Sequence, residues 1–397
     1  MTKMLDATYK SMNDKANLFF LILPFFRPDS VSLAPEWLNS FFIAWRILSF
    51  LLGLYYFIKI YSKGTISNGD IVLIILYELA MMCSVVVNRV PLSSRIINIA
   101  NFLGIYFIFY VFSIWNPKEL INVTFEILSI FIYLNAALTI AFPRGLNNAA
   151  SDTGRINFLG LDNTITLYFI LAIALAVLYQ NIHHNSKKPF VLLIVIVLSE
   201  LFYKSGSGLV SLFLIIAYMV LCGKSKNLNK FSNVKFLILV YTALETAIVF
   251  LNRIQNLQFV FEILGKSSTF TDRRFYWNHA ISQIMLNPIL GQGSGTVDLW
   301  NNGYYSHNAF LDVLLKGGLV AAVLWIFLIY HSMNLNRMKG NCLVMRLFRI
   351  LIFAALIYGL MEGLEDRIAF NALLSVSMIL PRFEEKNCIL NITIKVV

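Results

Sequence analysis

Residues 307–333 read HNAFLDVLLKGGLVAAVLWIFLIYHSM, and the length of this run decides the fold. As a helix at about 1.5 Å rise per residue it reaches roughly 40 Å, against about 30 Å for a bilayer's hydrocarbon core. It therefore spans a membrane, and its first turns project beyond the core, with His307 at the level of the outer headgroups. Ser306 is the expected N-cap. Asp312 and Lys316, one turn apart, are a candidate ion pair. Gly317 and Gly318 allow a bend or a close helix contact where the apolar part begins.

Outward from this run the chain has the same character. Of its 397 residues, 58% are apolar and only 13% are charged, far below the share of about a quarter that covers a soluble globule. Twelve apolar segments can be read, at 16–26, 40–61, 69–88, 97–115, 119–142, 164–182, 189–203, 208–223, 234–251, 307–333, 345–364 and 369–380. The first and last are short, which gives ten to twelve transmembrane helices in an all-α, polytopic integral membrane protein. Barrel strands would instead alternate over about ten residues. Residues 1–397 form a single transmembrane domain without internal repeats or an attached soluble domain. Lys3, Lys10 and Lys15 precede the first apolar run, but that run ends in Arg-Pro-Asp without a small-residue cleavage site, so no secretory signal is read.

The net charge of +11 is spread over short loops and forms no stripe suited to nucleic acid. Lys59 and Lys63, Lys187 and Lys188 beside His183 and His184, then Lys224, Lys226, Lys230 and Lys235, and finally Arg337, Lys339, Arg346 and Arg349 mark alternate loops as cytoplasmic. Both termini then lie inside, in the plasma membrane. The loops 143–163 and 252–306 lie outside. Arg89 and Arg95 fall on the outer side against this bias, either a strike against the segment count or a sign of external anion binding. Cys83, Cys222, Cys342 and Cys388 show no paired or metal-ligand spacing and read as free thiols.

The large external loop, 252–306, breaks the short-loop pattern, and such loops are usually functional. Its second half contains FTDRRFYWNHAISQIMLNPILGQGSG (270–295). Trp277, Ala280, Ile281, Ile284 and Met285 recur at helical spacing, with Thr271 or Asp272 as N-cap and Asn287-Pro288 as the stop. This is a short amphipathic helix expected to lie on the membrane surface. Gly291, Gly293 and Gly295 follow as a flexible turn. Arg273 and Arg274 at the helix start suit a phosphate or pyrophosphate, through guanidinium forks and unpaired amides together. They equally suit lipid headgroups. His307 is a titratable group where loop meets membrane, either a general base or a structural hydrogen-bonding residue. Arg155 lies in the first external loop, either joining the other arginines in one vestibule or solvated with Arg144 beside Asp152 and Asp162.

Glu78, Glu126, Glu200 and Glu245 fall inside apolar segments. Carboxylates there default to ion or proton relays, but these four are scattered, and pairing, as of Glu200 with Lys204, is the better account. No Asp-x-Asp, clustered His or Cys, serine-hydrolase elbow or Walker loop is found, so neither a metal nor another cofactor is read.

Three stretches, in order, carry a family resemblance: Thr-Asp-Arg273-Arg-Phe-Tyr-Trp277, Asn287-Pro288-Ile-Leu-Gly291-Gln-Gly293, and Ser306-His307-Asn308-Ala-Phe-Leu followed by Lys-Gly-Gly-Leu. They resemble the O-antigen ligase and Wzy-type polysaccharide polymerase family. FPRGL (142–146) and NFLGLDN (157–163) further resemble the polymerases of Gram-positive capsule and exopolysaccharide systems. The resemblance implies a glycosyltransferase that joins undecaprenyl-pyrophosphate-linked oligosaccharides outside the cytoplasm, without a metal. It implies His307 as general base on the acceptor hydroxyl, and Arg273 or its neighbour Arg274 as pyrophosphate ligand. Arg155 would be a second phosphate or sugar ligand, and Asn308 would orient the histidine. Where many members carry Ser-Arg at the start of a middle helix, this chain has Lys204-Ser-Gly-Ser207-Gly208, so Lys204 supplies the positive charge. Membrane lipids, and the flippase and chain-length regulator of the same pathway, are the expected partners. Two other functions stay open: a ligase moving finished glycan to lipid A core or protein, and a lipid-linked oligosaccharide flippase.

Overall fold

A computed structural model describes residues 15–61, 69–148, 155–184, 186–222, 231–250, 269–293, 296–297, 304–334 and 343–385. Asp152, Gly295, Cys342, Cys388, and the basic residues Lys3, Lys10, Lys63, Lys224, Lys226, Lys230, Arg337 and Lys339 lie outside these. So does the first half of the large loop up to residue 268.

Each of the twelve apolar segments carries a helix among the described residues, the one at 345–364 only as far as Gly359. These helices are α1 (Lys15–Ile22, continued by a 3-10 turn Leu23–Phe26), α2 (Glu36–Tyr61), α3 (Gly69–Val87), α4 (Leu92–Trp115), α5 (Pro117–Ala141), α6 (Thr166–Ile182), α7 (Lys188–Tyr203), α8 (Gly206–Cys222) and α9 (Val234–Glu245, continued by a π-helical turn to Phe250). After the loop helix α10 (Thr269–Leu286) come α11 (Ala309–Met333), α12 (Leu343–Gly359) and α13 (Ile368–Glu385). Five of these, α2, α3, the Arg95–Trp115 part of α4, α5 and α11, are long and apolar enough to cross a membrane, and α1, α6, α8 and α13 are shorter apolar helices. The architecture is that of an all-α polytopic membrane protein.

Position in the bundle follows composition. α6 is apolar on every side, the mark of a helix with no face for solvent, and Thr166 through Ala176 are all buried among α5, α12 and α13. α2 turns Trp37, Phe41, Leu48, Leu51, Tyr55 and Ile58 outward, an apolar periphery that only lipid tails would cover. At one end of the bundle His331 pairs with Asp70, and Arg349 reaches the carbonyls of Met333 and Ser232. The functional candidates gather at the other end.

α11 is interrupted where the glycine pair allowed a bend or a close contact. Gly318 has φ 64° and ψ −164°, so the helix is broken there into two pieces, and the bend at Gly317-Gly318 is present. The reason lies in the segment after α10. The N–H groups of Gln292 and Gly293 donate to the carbonyls of Leu315 (2.6 Å) and Lys316 (3.0 Å), and Leu319 N–H donates to Pro288 O (2.8 Å). A Cβ on Gly318 would stand 2.3 Å from Ile289 O. Gly291 and Gly293 also have positive φ and pack against α11 and α3. The glycine turn, expected to be flexible, is thus pinned into the break.

The ion pairs differ from expectation too. Ser306 does not cap α11; Asn308 does, accepting the Leu311 N–H at 2.8 Å. Ser306 Oγ instead donates to Asp312. Lys316 pairs not with Asp312 but with Glu365 (2.7 Å) and Asp366. Arg95 is buried between Glu78 and Glu365, so it is no external anion ligand. Pairing accounts for Glu78 and for Glu126, 2.6 Å from Lys15, whereas Glu200 takes the hydroxyl of Thr166 at 3.2 Å, not Lys204.

Candidate functional site

The loop helix begins at Thr269 and runs past Thr271 and Asp272, so these residues do not cap it, and Arg273 and Arg274 sit in its second turn, beyond the unpaired first amides. Nor does the helix lie free on a surface. Trp277, Ala280 and Ile284 recur at three- to four-residue spacing and are buried against α11. This packing sets the direction of the two arginines. Arg274 is exposed, whereas Arg273 turns inward, donating to Met361 O (2.6 Å) and to Glu362 Oε1 (2.9 Å).

His307 reaches the same carboxylate from the other side, its Nδ1 3.5 Å from Glu362 Oε2. Its backbone has φ 51°, a left-handed conformation that costs a non-glycine residue roughly 1–2 kcal/mol. Both neighbours are buried and fixed. Ser306 bonds Asp312, while Asn308 caps the helix and donates to Leu360 O at 3.1 Å. A chain held on both sides leaves His307 no relaxed alternative. Its ring faces Tyr276 at 6.3 Å between centroids. The histidine side chain is 40% exposed and Arg273 21%, against 5% for Glu362; a ligand can therefore touch the first two, while Glu362 stands behind them.

Glu362 also accepts from Asn163 Nδ2 at 2.6 Å. Burial acts to raise its pKa, but the His307 hydrogen bond, the charge on Arg273 and the Asn163 amide together hold it below the ordinary carboxylate value. It stays ionised and binds a cation and an imidazole at once. Sequence reasoning missed Glu362 and Asn163. The segment expected at 345–364 ran through Glu362, whereas α12 stops at Gly359. The signal available was the acidic cluster Glu362-Gly-Leu-Glu-Asp between two apolar runs.

The other expected residues are placed elsewhere. Arg155 is 7% exposed. Its Nε donates to Asp162 at 3.0 Å and its Nη1 to Pro143 O at 2.8 Å. Asn157 donates to the same Asp162, so Arg155 shapes the turn that carries Asn163. Lys204 is exposed at the end of α7, with φ 52°. No contact joins it to His307 among the described residues. Asn308 anchors the start of α11 rather than touching the histidine ring.

A carboxylate behind an imidazole fixes the ring and favours the proton on Nδ1, leaving Nε2 to accept one. An arginine on the same carboxylate brings a fixed positive charge beside that base. No curated protein and no solved structure matches the chain. Residues 189–326, from α7 into α11 and including Lys204, Arg273 and His307, match the family model Wzy_C, described as O-Antigen ligase, and over this stretch the motifs' resemblance to the O-antigen ligase and Wzy-type family is borne out.

Proposed function

We propose that the protein is a polysaccharide polymerase that joins oligosaccharide repeats carried on undecaprenyl pyrophosphate, at the outer face of the plasma membrane. The observation that carries this reading is the convergence of Arg273 and His307 on Glu362. Arg273 holds the donor pyrophosphate. His307 Nε2 takes the proton of an acceptor sugar hydroxyl as its oxygen attacks the donor's anomeric carbon. The bond from that carbon to the phosphate oxygen breaks, a glycosidic bond forms, and lipid pyrophosphate leaves with the electron pair, its charge met by the guanidinium. Glu362 holds both groups. Arg155 acts at one remove, by setting Asn163 against that carboxylate, and Arg274 and Lys204 face the approaching anionic substrate from the periphery.

A ligase is the second reading, favoured by the description of the matching family. The same residues serve both reactions, so the acceptor separates them. Purified protein is supplied with lipid-linked repeats alone, then with lipid A core added, and products are sized. Ladders of repeats without lipid A core support the polymerase. Transfer only onto lipid A core overturns it in favour of the ligase. In either assay Arg273→Ala is expected to lose far more activity than Arg274→Ala; equal loss would remove Arg273 from its assigned role.

A further inference from the structure

Beside the Glu362 cluster lies a cavity of about 230 Å³ that the chemistry above does not use. Three guanidinium groups from three separate segments line it: Arg27 after the first 3-10 turn, Arg46 in α2 and Arg367 just before α13. Two are positioned by the protein itself. Arg46 donates to Pro24 O (3.2 Å) and Asn101 Oδ1 (2.9 Å), and Arg27 donates to Asn39. Arg367 makes no side-chain hydrogen bond or ion pair among the described residues, and its side chain is exposed to the cavity.

The charges do not balance. Asp29 and Asp366 also line the cavity. Lys316 and Arg95 are shared among Glu78, Glu365 and Asp366, so the wall sets Asp29 and Asp366 against three arginines, an excess of positive charge. Guanidinium forks match carboxylate and phosphate oxygens in geometry as well as charge. Phe25 and Tyr168 line the cavity as well, so aromatic rings stand among the polar donors, a mixture that suits a sugar ring. The space is below the usual range of about 300–1,000 Å³ for drug-sized ligands, which suits one sugar residue rather than a long chain.

The cavity and the Glu362 cluster are also built on common segments. Thr164, on the cavity wall, follows Asn163, the donor to Glu362. Arg367 ends the same short connection that begins at Leu360 and carries Glu362. A molecule seated at Arg367 therefore lies next to the residues that hold His307 and Arg273.

We infer that this cavity is a second substrate subsite, taking a sugar of the acceptor glycan that bears an acidic group, a carboxylate or a phosphate. The word acceptor rests on the transferase reading above; the binding of an acidic sugar does not, and the test separates them. Glucuronate, glucose and inorganic phosphate are titrated calorimetrically into the full-length protein in neutral detergent at low ionic strength. The titration is repeated in nanodiscs with and without phosphatidylglycerol. Glucuronate is expected to bind at least tenfold more tightly than glucose and to be displaced by phosphate. Arg367→Gln and Arg27→Gln are expected to weaken it about tenfold, with Arg273→Gln leaving it intact. Equal binding of glucuronate and glucose, or no effect of either cavity substitution, overturns the subsite. Loss of glucuronate binding only when phosphatidylglycerol is present shows a lipid headgroup as the occupant and overturns it as well. Glucuronate binding in a protein that transfers no glycan would leave the subsite standing and remove the transferase reading, and the converse result would do the reverse.

Discussion

At the scale of the residue, His307 is held in a left-handed conformation by two buried neighbours, each with its own hydrogen bonds. Glycine adopts that conformation without penalty. His307→Gly should therefore keep the thermal stability of the parent, since relief of about 1 kcal/mol of strain offsets the lost contact to Glu362, and it should transfer no glycan. A fall in unfolding temperature of many degrees would show that the histidine's role is structural. Glu362 offers a pH test. Its pKa is held low in the folded protein, so its stabilising contribution is fully present above the unfolded value, near 4.3, and is lost as pH falls through the lower folded value. The stability gap between the parent and Glu362→Gln should be widest at neutral pH and close below about pH 4. A gap that widened toward acid would contradict the depressed value. His307 and Arg273 could be picked from the sequence because each sits in a recognisable run of residues. Glu362 was missed despite the acidic cluster at 362–366, because it is 55 positions beyond His307 and a hydropathy reading absorbs it into a span.

At the scale of the element, the end of the bundle that carries the site is tied by charges that cross between helices. Arg95 of α4 bonds Glu78 of α3 and Glu365 of the α12–α13 connection, and Lys316 of α11 bonds Glu365 and Asp366. Removing one partner of a buried pair leaves an uncompensated charge, at a cost of about 3–5 kcal/mol. Arg95→Met should lower the unfolding temperature in detergent by many degrees and reduce transfer with it, because Glu365 is three residues from Glu362. Unchanged stability would mean that the network is dispensable. The twelve bundle helices were legible in the sequence as apolar runs, some shorter than a span, and the loop helix as a helical spacing of apolar residues. The break in α11 was legible only as the dipeptide Gly317-Gly318. What fills the break, the backbone of residues 288–293, could not be read, because main-chain hydrogen bonds between distant segments leave no side-chain pattern.

At the scale of the molecule, the apolar periphery of α2, the buried α6 and the polar end formed by α10, α11 and the connection at 360–367 describe one helical bundle with its chemistry at one end. We propose, from the positive-inside bias of the basic loops, that this end faces outside. In a background lacking the native cysteines, Arg274→Cys should react with a membrane-impermeant maleimide on intact cells, and Lys188→Cys only after permeabilisation. The opposite pattern would invert the topology. The central claim, that His307 and Arg273 act together on a lipid pyrophosphate donor, is tested most directly by counting products. Protein in nanodiscs is given lipid-linked repeats without added metal, and released lipid pyrophosphate is measured beside new glycosidic linkages. The parent should release one lipid pyrophosphate per linkage, and His307→Ala, correctly inserted and folded, should produce neither. Elongation by His307→Ala at the parent's rate, or linkages formed without release of lipid pyrophosphate, would contradict it.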